Sequence, residues 1–89
     1  MAKKRRKLNK DFEKKIYSSK KNVELVLAKI YDISDEDIQK EYISGFNNVV
    51  NSYDSLKNDY ELVGYNENSE DLIKNYNVAL SIFESEFEI

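Results

Sequence analysis

Ile33-Ser34-Asp35-Glu36-Asp37-Ile38 is the stretch on which the fold turns. A serine followed by three acids is the signature of a helix start. Ser34 reads as the N-cap, its hydroxyl accepting a first-turn backbone N–H. Asp35, Glu36 and Asp37 sit where the helix dipole favours negative charge. Asp37 stands at the capping-box position that usually carries Glu, and Ile33 and Ile38 have the spacing of a hydrophobic staple. Removal of the Ser34 hydroxyl is expected to cost ~1 kcal/mol. One helix therefore ends just before this stretch and another begins in it.

Downstream, Tyr42, Phe46, Val49, Tyr53, Leu56, Tyr60 and Val63 recur in steps of three and four, the period of one helix face. Ile38, Ile43 and Val50 widen that stripe, and Gly64 is a C-terminal stop. Such a helix could reach ~44 Å at ~1.5 Å per residue. Gly45, among Ser44, Asn47 and Asn48, is its weak point and marks a kink or a close helix–helix contact.

Upstream, Asn9 caps a helix with Asp11 and Glu13 in its first turn. Phe12, Ile16, Val23, Val26 and Ile30 form its stripe, which Ser19 alone interrupts. After the loop Tyr65-Asn66-Glu67-Asn68, Ser69 is a second N-cap candidate ahead of Glu70 and Asp71. Leu72, Ile73, Tyr76, Ala79, Leu80, Phe83 and Phe87 continue as a third stripe. Its last turn carries Glu84, Glu86 and Glu88, acids that oppose the dipole, so fraying is expected there.

The expected architecture is all-α: an antiparallel up-down-up three-helix bundle with helices over about 10–32, 35–63 and 70–87. Short connections force neighbouring helices antiparallel. Residues 1–8 read as a basic flexible tail and residues 9–89 as a single domain. With no Pro and two Gly in 89 residues, few turns are available and the elements must be long.

The composition argues against catalysis. There is no His and no Cys, so the usual general base, the thiolate nucleophile and the commonest metal ligands are missing. No Gly-rich phosphate loop occurs. The acids from Asp32 to Asp37 lack the glycine and distal glutamate of a calcium loop. No enzyme activity, cofactor or metal is expected. No apolar run approaches the ~20 residues that span a bilayer, and the basic start is not followed by a hydrophobic stretch. A soluble, cytoplasmic protein is expected. Its wealth of Asn, Lys, Ile and Tyr suits a low-GC genome such as that of a bacterium, phage or plasmid.

Charge is divided steeply. Residues 1–21 carry ten Lys or Arg against two acids, a net +8; residues 22–89 carry four Lys against fifteen acids, a net −11. The topology sets the basic start beside the helix 2–3 turn, with Asp59, Glu61, Glu67, Glu70 and Asp71, where part of it should be answered. The opposite pole gathers Asp32, Asp35, Glu36, Asp37 and Glu41 with Glu84, Glu86 and Glu88.

The leading functional expectation is a small protein-interaction module: an adaptor, inhibitor or assembly factor docking on a larger protein or on a second copy. Leu25 and Tyr31 point away from the stripe, and Tyr17 and Tyr65 also lie off it. Tyrosine, apolar along its body and polar at its tip, suits interfaces. The alternative is a nucleic-acid accessory protein with Lys3, Lys4, Arg5, Arg6, Lys7, Lys10, Lys14 and Lys15 on phosphates, each neutralised phosphate adding ~0.9 to the salt slope. A solubilising tail is the plainer explanation of the same run. A third reading makes Asp35, Glu36, Asp37, Glu84 and Glu86 an imitation of phosphates that blocks a nucleic-acid enzyme.

Overall fold

The structure, a computed structural model, describes residues 7–89. Three α-helices follow one another: α1 (Lys10–Tyr31), α2 (Glu36–Val63) and α3 (Ser69–Glu86). Each helix packs on both others, most extensively α2 on α3, in a three-helix bundle.

One core runs the length of the bundle. Phe12, Ile16, Val23, Val26 and Ile30 enter it from α1; Phe46, Val49, Tyr53, Leu56 and Tyr60 from α2; Ile73, Tyr76 and Leu80 from α3. Aromatic rings bridge the helices. Phe46 meets Phe83 edge-on with centroids 4.9 Å apart, and Phe12 meets Tyr65 edge-on at 5.1 Å, geometries that suit the ring quadrupole. Ser19 interrupts the α1 stripe because it is a partner rather than a filler. The fully buried Tyr76 donates its hydroxyl proton to Ser19 Oγ at 2.7 Å, and Ser19 donates onward to the Ile16 carbonyl at 2.6 Å.

The helix ends refine the sequence reading. Asn9 caps α1 as expected, its Oδ1 accepting from Phe12 N at 3.0 Å. The cap of α2 is Asp35, not Ser34. Asp35 has the extended backbone of a cap, and its carboxylate accepts from Asp37 N (2.9 Å) and Ile38 N (3.1 Å). A full negative charge at that point also answers the helix dipole, an advantage a serine hydroxyl lacks. Ile38 is exposed, so the expected staple with Ile33 is not a buried contact.

Ser69 is the first residue of α3 rather than its cap; Asn68, which precedes it, makes no side-chain cap bond. The buried Ser69 hydroxyl instead accepts from Asn66 N at 2.9 Å, while Asn66 O accepts from Ser69 N at 3.0 Å.

Other expectations change for physical reasons. α2 continues through Gly45 as one helix, and a Cβ there would lie 3.5 Å from Phe83 Cζ, an ordinary van der Waals distance. Val63, assigned to the core stripe, is 51% exposed, while the next residue, Gly64, is buried. The last turn of α3 is closed rather than frayed. Glu88 takes a left-handed backbone (φ 58°), Ile89 N donates to Glu84 O at 2.8 Å and Glu88 N to Ser85 O at 3.3 Å, the two bonds of a Schellman ending. These bonds satisfy carbonyls that the acidic side chains leave open.

Two polar devices that periodicity does not announce fix the connections. The Gln39 side-chain amide donates to the carbonyls of Ile30 (3.3 Å), Tyr31 (3.1 Å) and Ile33 (3.3 Å), closing the end of α1 from the start of α2. At the other pole Lys7 forms a parallel bridge with Gly64, with Tyr65 N donating to Lys7 O at 2.7 Å. Gly64 permits this bridge because it is buried and takes φ 80°, ψ −164°, a region essentially closed to residues with a Cβ.

Candidate functional site

Where the N-terminal end of α2 meets the C-terminal end of α3, the surface opens into a groove lined by Ile38, Glu41, Tyr42, Phe83 and Glu86. It lies where the start of α2 crosses the end of α3, and the apolar residues there are only partly covered. Phe83 is half-buried against Phe46, and Tyr42 stacks at a tilt on Phe87, centroids 5.2 Å apart. Ile38 remains exposed at the edge. The Tyr42 hydroxyl donates to Glu86 Oε1. That bond, with burial adding to it, pushes the Tyr42 phenol above its ordinary ~10. The result is an apolar wall with one carboxylate oriented by a tyrosine and a second, Glu41, on α2. Asp35, Glu36 and Asp37 stand at the same end, Asp35 occupied as the α2 cap. Glu84 does not join them: it turns toward α1, where its Oε2 accepts from Asn22 Nδ2 at 2.6 Å.

A groove of this kind suits a side chain with an apolar stem and a positive head. Lysine and arginine bury their methylene stems on apolar surface while keeping the charge outside. Sequence reasoning assigned Ile38, Tyr42 and Phe83 to the core and named Glu41 and Glu86 only as members of an acidic pole. Residues more than forty positions apart form the groove, and only the relative register of α2 and α3 brings them together.

The tyrosines and Leu25 are distributed differently from one shared surface. Leu25 (43% exposed) and Tyr31 (65% exposed) are six residues apart on α1, which turns them about 120° from each other. They belong to opposite flanks of the helix. Tyr17 shares the Tyr31 flank; its hydroxyl donates to Glu61 Oε2 at 3.1 Å, and burial followed by that bond raises its pKa. Tyr65 is half-buried against Phe12, donates to Glu70, and lies under the Lys7 ammonium, 5.8 Å from its ring centroid. Leu62, Val78 and Ile82 are exposed apolar residues that the stripe reading passed over.

Lys3, Lys4, Arg5 and Arg6 lie outside the described residues. Lys10, Lys14 and Lys21 share one line along the solvent side of α1, spaced by four and seven residues, with Lys15 and Lys20 on either flank. Among the described residues the ion pair is Lys57–Glu61 at 4.0 Å, and no lysine of α1 is within that distance of an acid. The acids at the α2–α3 turn thus do not neutralise the helical lysines by direct pairing.

Among the described residues no group of acids is arranged to hold a metal ion, and no helix is long and apolar enough to cross a membrane. Compared with protein-family models, with curated proteins and with solved structures, the chain finds no match.

Proposed function

We propose that this chain is a small non-enzymatic protein-interaction module whose acidic pole receives a basic segment of a protein partner. The groove of Ile38, Tyr42 and Phe83 flanked by Glu41 and Glu86 carries this reading. It offers both halves of what a lysine or arginine presents: apolar surface for the stem and carboxylates for the head. Interfaces are built around such partly desolvated charge–apolar contacts more than around scattered exposed residues. The separation of Leu25 from Tyr31 weakens the surface that the sequence had favoured.

Fluorescence anisotropy with a labelled peptide alternating Arg and Leu, against its Glu-and-Leu counterpart, tests the reading. Binding of the basic peptide alone, weakened at least ~10-fold by Glu41→Lys with Glu86→Gln, is the expected result, about 1.4 kcal/mol or more. Equal binding of both peptides, or no binding of the basic one, defeats it.

A second reading rests on the line of lysines along α1. Without direct acidic partners, this face could follow a phosphate backbone, with residues 3–7 extending it. Mixed-sequence DNA or RNA should then bind at low salt with a slope that falls by ~0.9 for each phosphate contact removed by Lys10→Gln, Lys14→Gln or Lys21→Gln. No binding to either nucleic acid at low salt removes this reading.

A further inference from the structure

We infer that the basic segment received by the groove is that of a second copy of this chain, residues 3–6 of one molecule lying against Ile38, Glu41, Tyr42, Phe83 and Glu86 of another. The inference rests on the proposed acidic-pole interface and names its partner. Two observations carry it.

The first is complementarity within a single sequence. Lys3-Lys4-Arg5-Arg6-Lys7 is a run of five cations, and the groove sits at the end of the fold where Asp35, Glu36, Asp37, Glu41 and Glu86 collect. The same chain therefore carries a cationic run in its sequence and an apolar, carboxylate-rimmed seat for it. Lys29 and Lys40 are the cations nearest that pole in sequence, and neither lines the groove.

The second is reach. Lys7 is fixed beside Gly64 by the parallel bridge and the Tyr65–Lys7 backbone bond. Tyr42 lies 22 residues back along the continuous helix α2, about 33 Å away at 1.5 Å per residue. Lys3 is four residues from Lys7 and can stand at most ~14 Å from it, even fully extended. The segment therefore cannot occupy the groove of its own molecule. Ligand and seat lie at opposite poles, so they can meet only between molecules. Contacts of this head-to-tail kind are heterologous, each molecule using two different surfaces.

The test is a charge exchange in the full chain, read by sedimentation equilibrium or light scattering. Wild-type protein is expected to exceed its monomer mass of 10.5 kDa at low salt and to return to it as salt rises to about 0.5 M, where the Debye length falls to a few ångströms. A tail-reversed variant (Lys3→Glu, Lys4→Glu, Arg5→Glu, Arg6→Glu) and a groove variant (Glu41→Lys, Glu86→Gln) should each stay monomeric alone. The second keeps an acceptor for the Tyr42 hydroxyl. Mixed together, the two should form a one-to-one pair, because one retains the groove and the other the tail. Circular dichroism and unchanged unfolding midpoints establish that both variants fold.

A wild-type protein that remains monomeric at low salt up to about 1 mM overturns the inference. So does association that survives in either variant alone, or a mixture that fails to pair. Binding of the Arg–Leu peptide by a strictly monomeric protein would leave the acidic-pole reading standing with a different protein as partner. Failure of the peptide as well would remove both.

Discussion

Replacing Ser19 by alanine, a change of one oxygen atom, should destabilise the bundle more than most surface substitutions. The Tyr76 side chain is fully buried, and its hydroxyl donates to Ser19 Oγ at 2.7 Å. Ser19→Ala leaves that hydroxyl enclosed without its acceptor, a desolvation cost of ~1–3 kcal/mol. Tyr76→Phe removes the donor itself. Ser19 still donates to the Ile16 carbonyl at 2.6 Å, so the loss is nearer ~0.5–1.5 kcal/mol. In the double variant neither partner is stranded, and its cost should fall well below the sum of the two. The expected coupling is ~1 kcal/mol or more, beyond the few tenths within which independent sites add. For a domain of this size 1 kcal/mol corresponds to roughly 4–8 °C in midpoint. Urea unfolding followed by circular dichroism on all four proteins supplies the cycle. A neutral Ser19→Ala, or additivity of the two single changes, would refute the account of Ser19 as a partner placed in the core stripe.

Three further outcomes follow from the structure. Asp35→Ala should cost ~1 kcal/mol in chemical denaturation, whereas Ser34→Ala should be near neutral, since the Asp35 carboxylate makes the cap bonds. The two glycines should respond with opposite sign: Gly45→Ala, which has room beside Phe83, should stabilise by about 0.5–1 kcal/mol, and Gly64→Ala, forced into a backbone region reserved for glycine, should destabilise by ~1–3 kcal/mol.

The third outcome concerns alkaline pH. Tyr17, Tyr42, Tyr53, Tyr65 and Tyr76 all have raised pKa values: burial leads for Tyr17, Tyr53 and Tyr76, and hydrogen bonds to Glu86 and Glu70 lead for Tyr42 and Tyr65. In each case the folded state holds its phenolic proton more tightly than the unfolded chain does. Their contribution is complete below the unfolded value near ~10 and is lost as pH climbs through the higher folded values. Unfolding midpoints measured with tyrosinate absorbance should fall above about pH 10, and ionisation should coincide with unfolding. Tyrosinate formation by these five residues at an unperturbed ~10 in the folded protein would contradict this.

The helices were legible because each has to bury a continuous face. Phe12, Ile16, Val23, Val26 and Ile30 are separated by steps of four, seven, three and four, whose odd members would change face on a strand, and all five are buried. The errors fall where a local rule has more than one solution. Ser34 and Asp35 are both competent caps, and the choice depends on the backbone angle at which the chain leaves α1, with Gln39 gathering the α1 carbonyls behind it. Ser69 looks like a cap until Asn66 takes up its hydroxyl.

The charge division was legible as composition, but the groove was not. Ile38, Tyr42 and Phe83 belong to the stripes by period, and only the pairing of the α2 start with the α3 end brings them together in a groove. The Lys7–Gly64 bridge was equally hidden, since a backbone contact across 57 residues leaves no periodic trace.

The bridge at Gly64 and the packing of Phe87 on Tyr42 put the entry and exit of the chain at opposite poles. Tension applied between those points would pull α1 and α3 past each other lengthwise. The buried side chains of the seam would have to yield together instead of opening one turn at a time. A bundle stretched along this direction should resist as a unit, with the Ser19–Tyr76 and Asn22–Glu84 links crossing the plane of slippage.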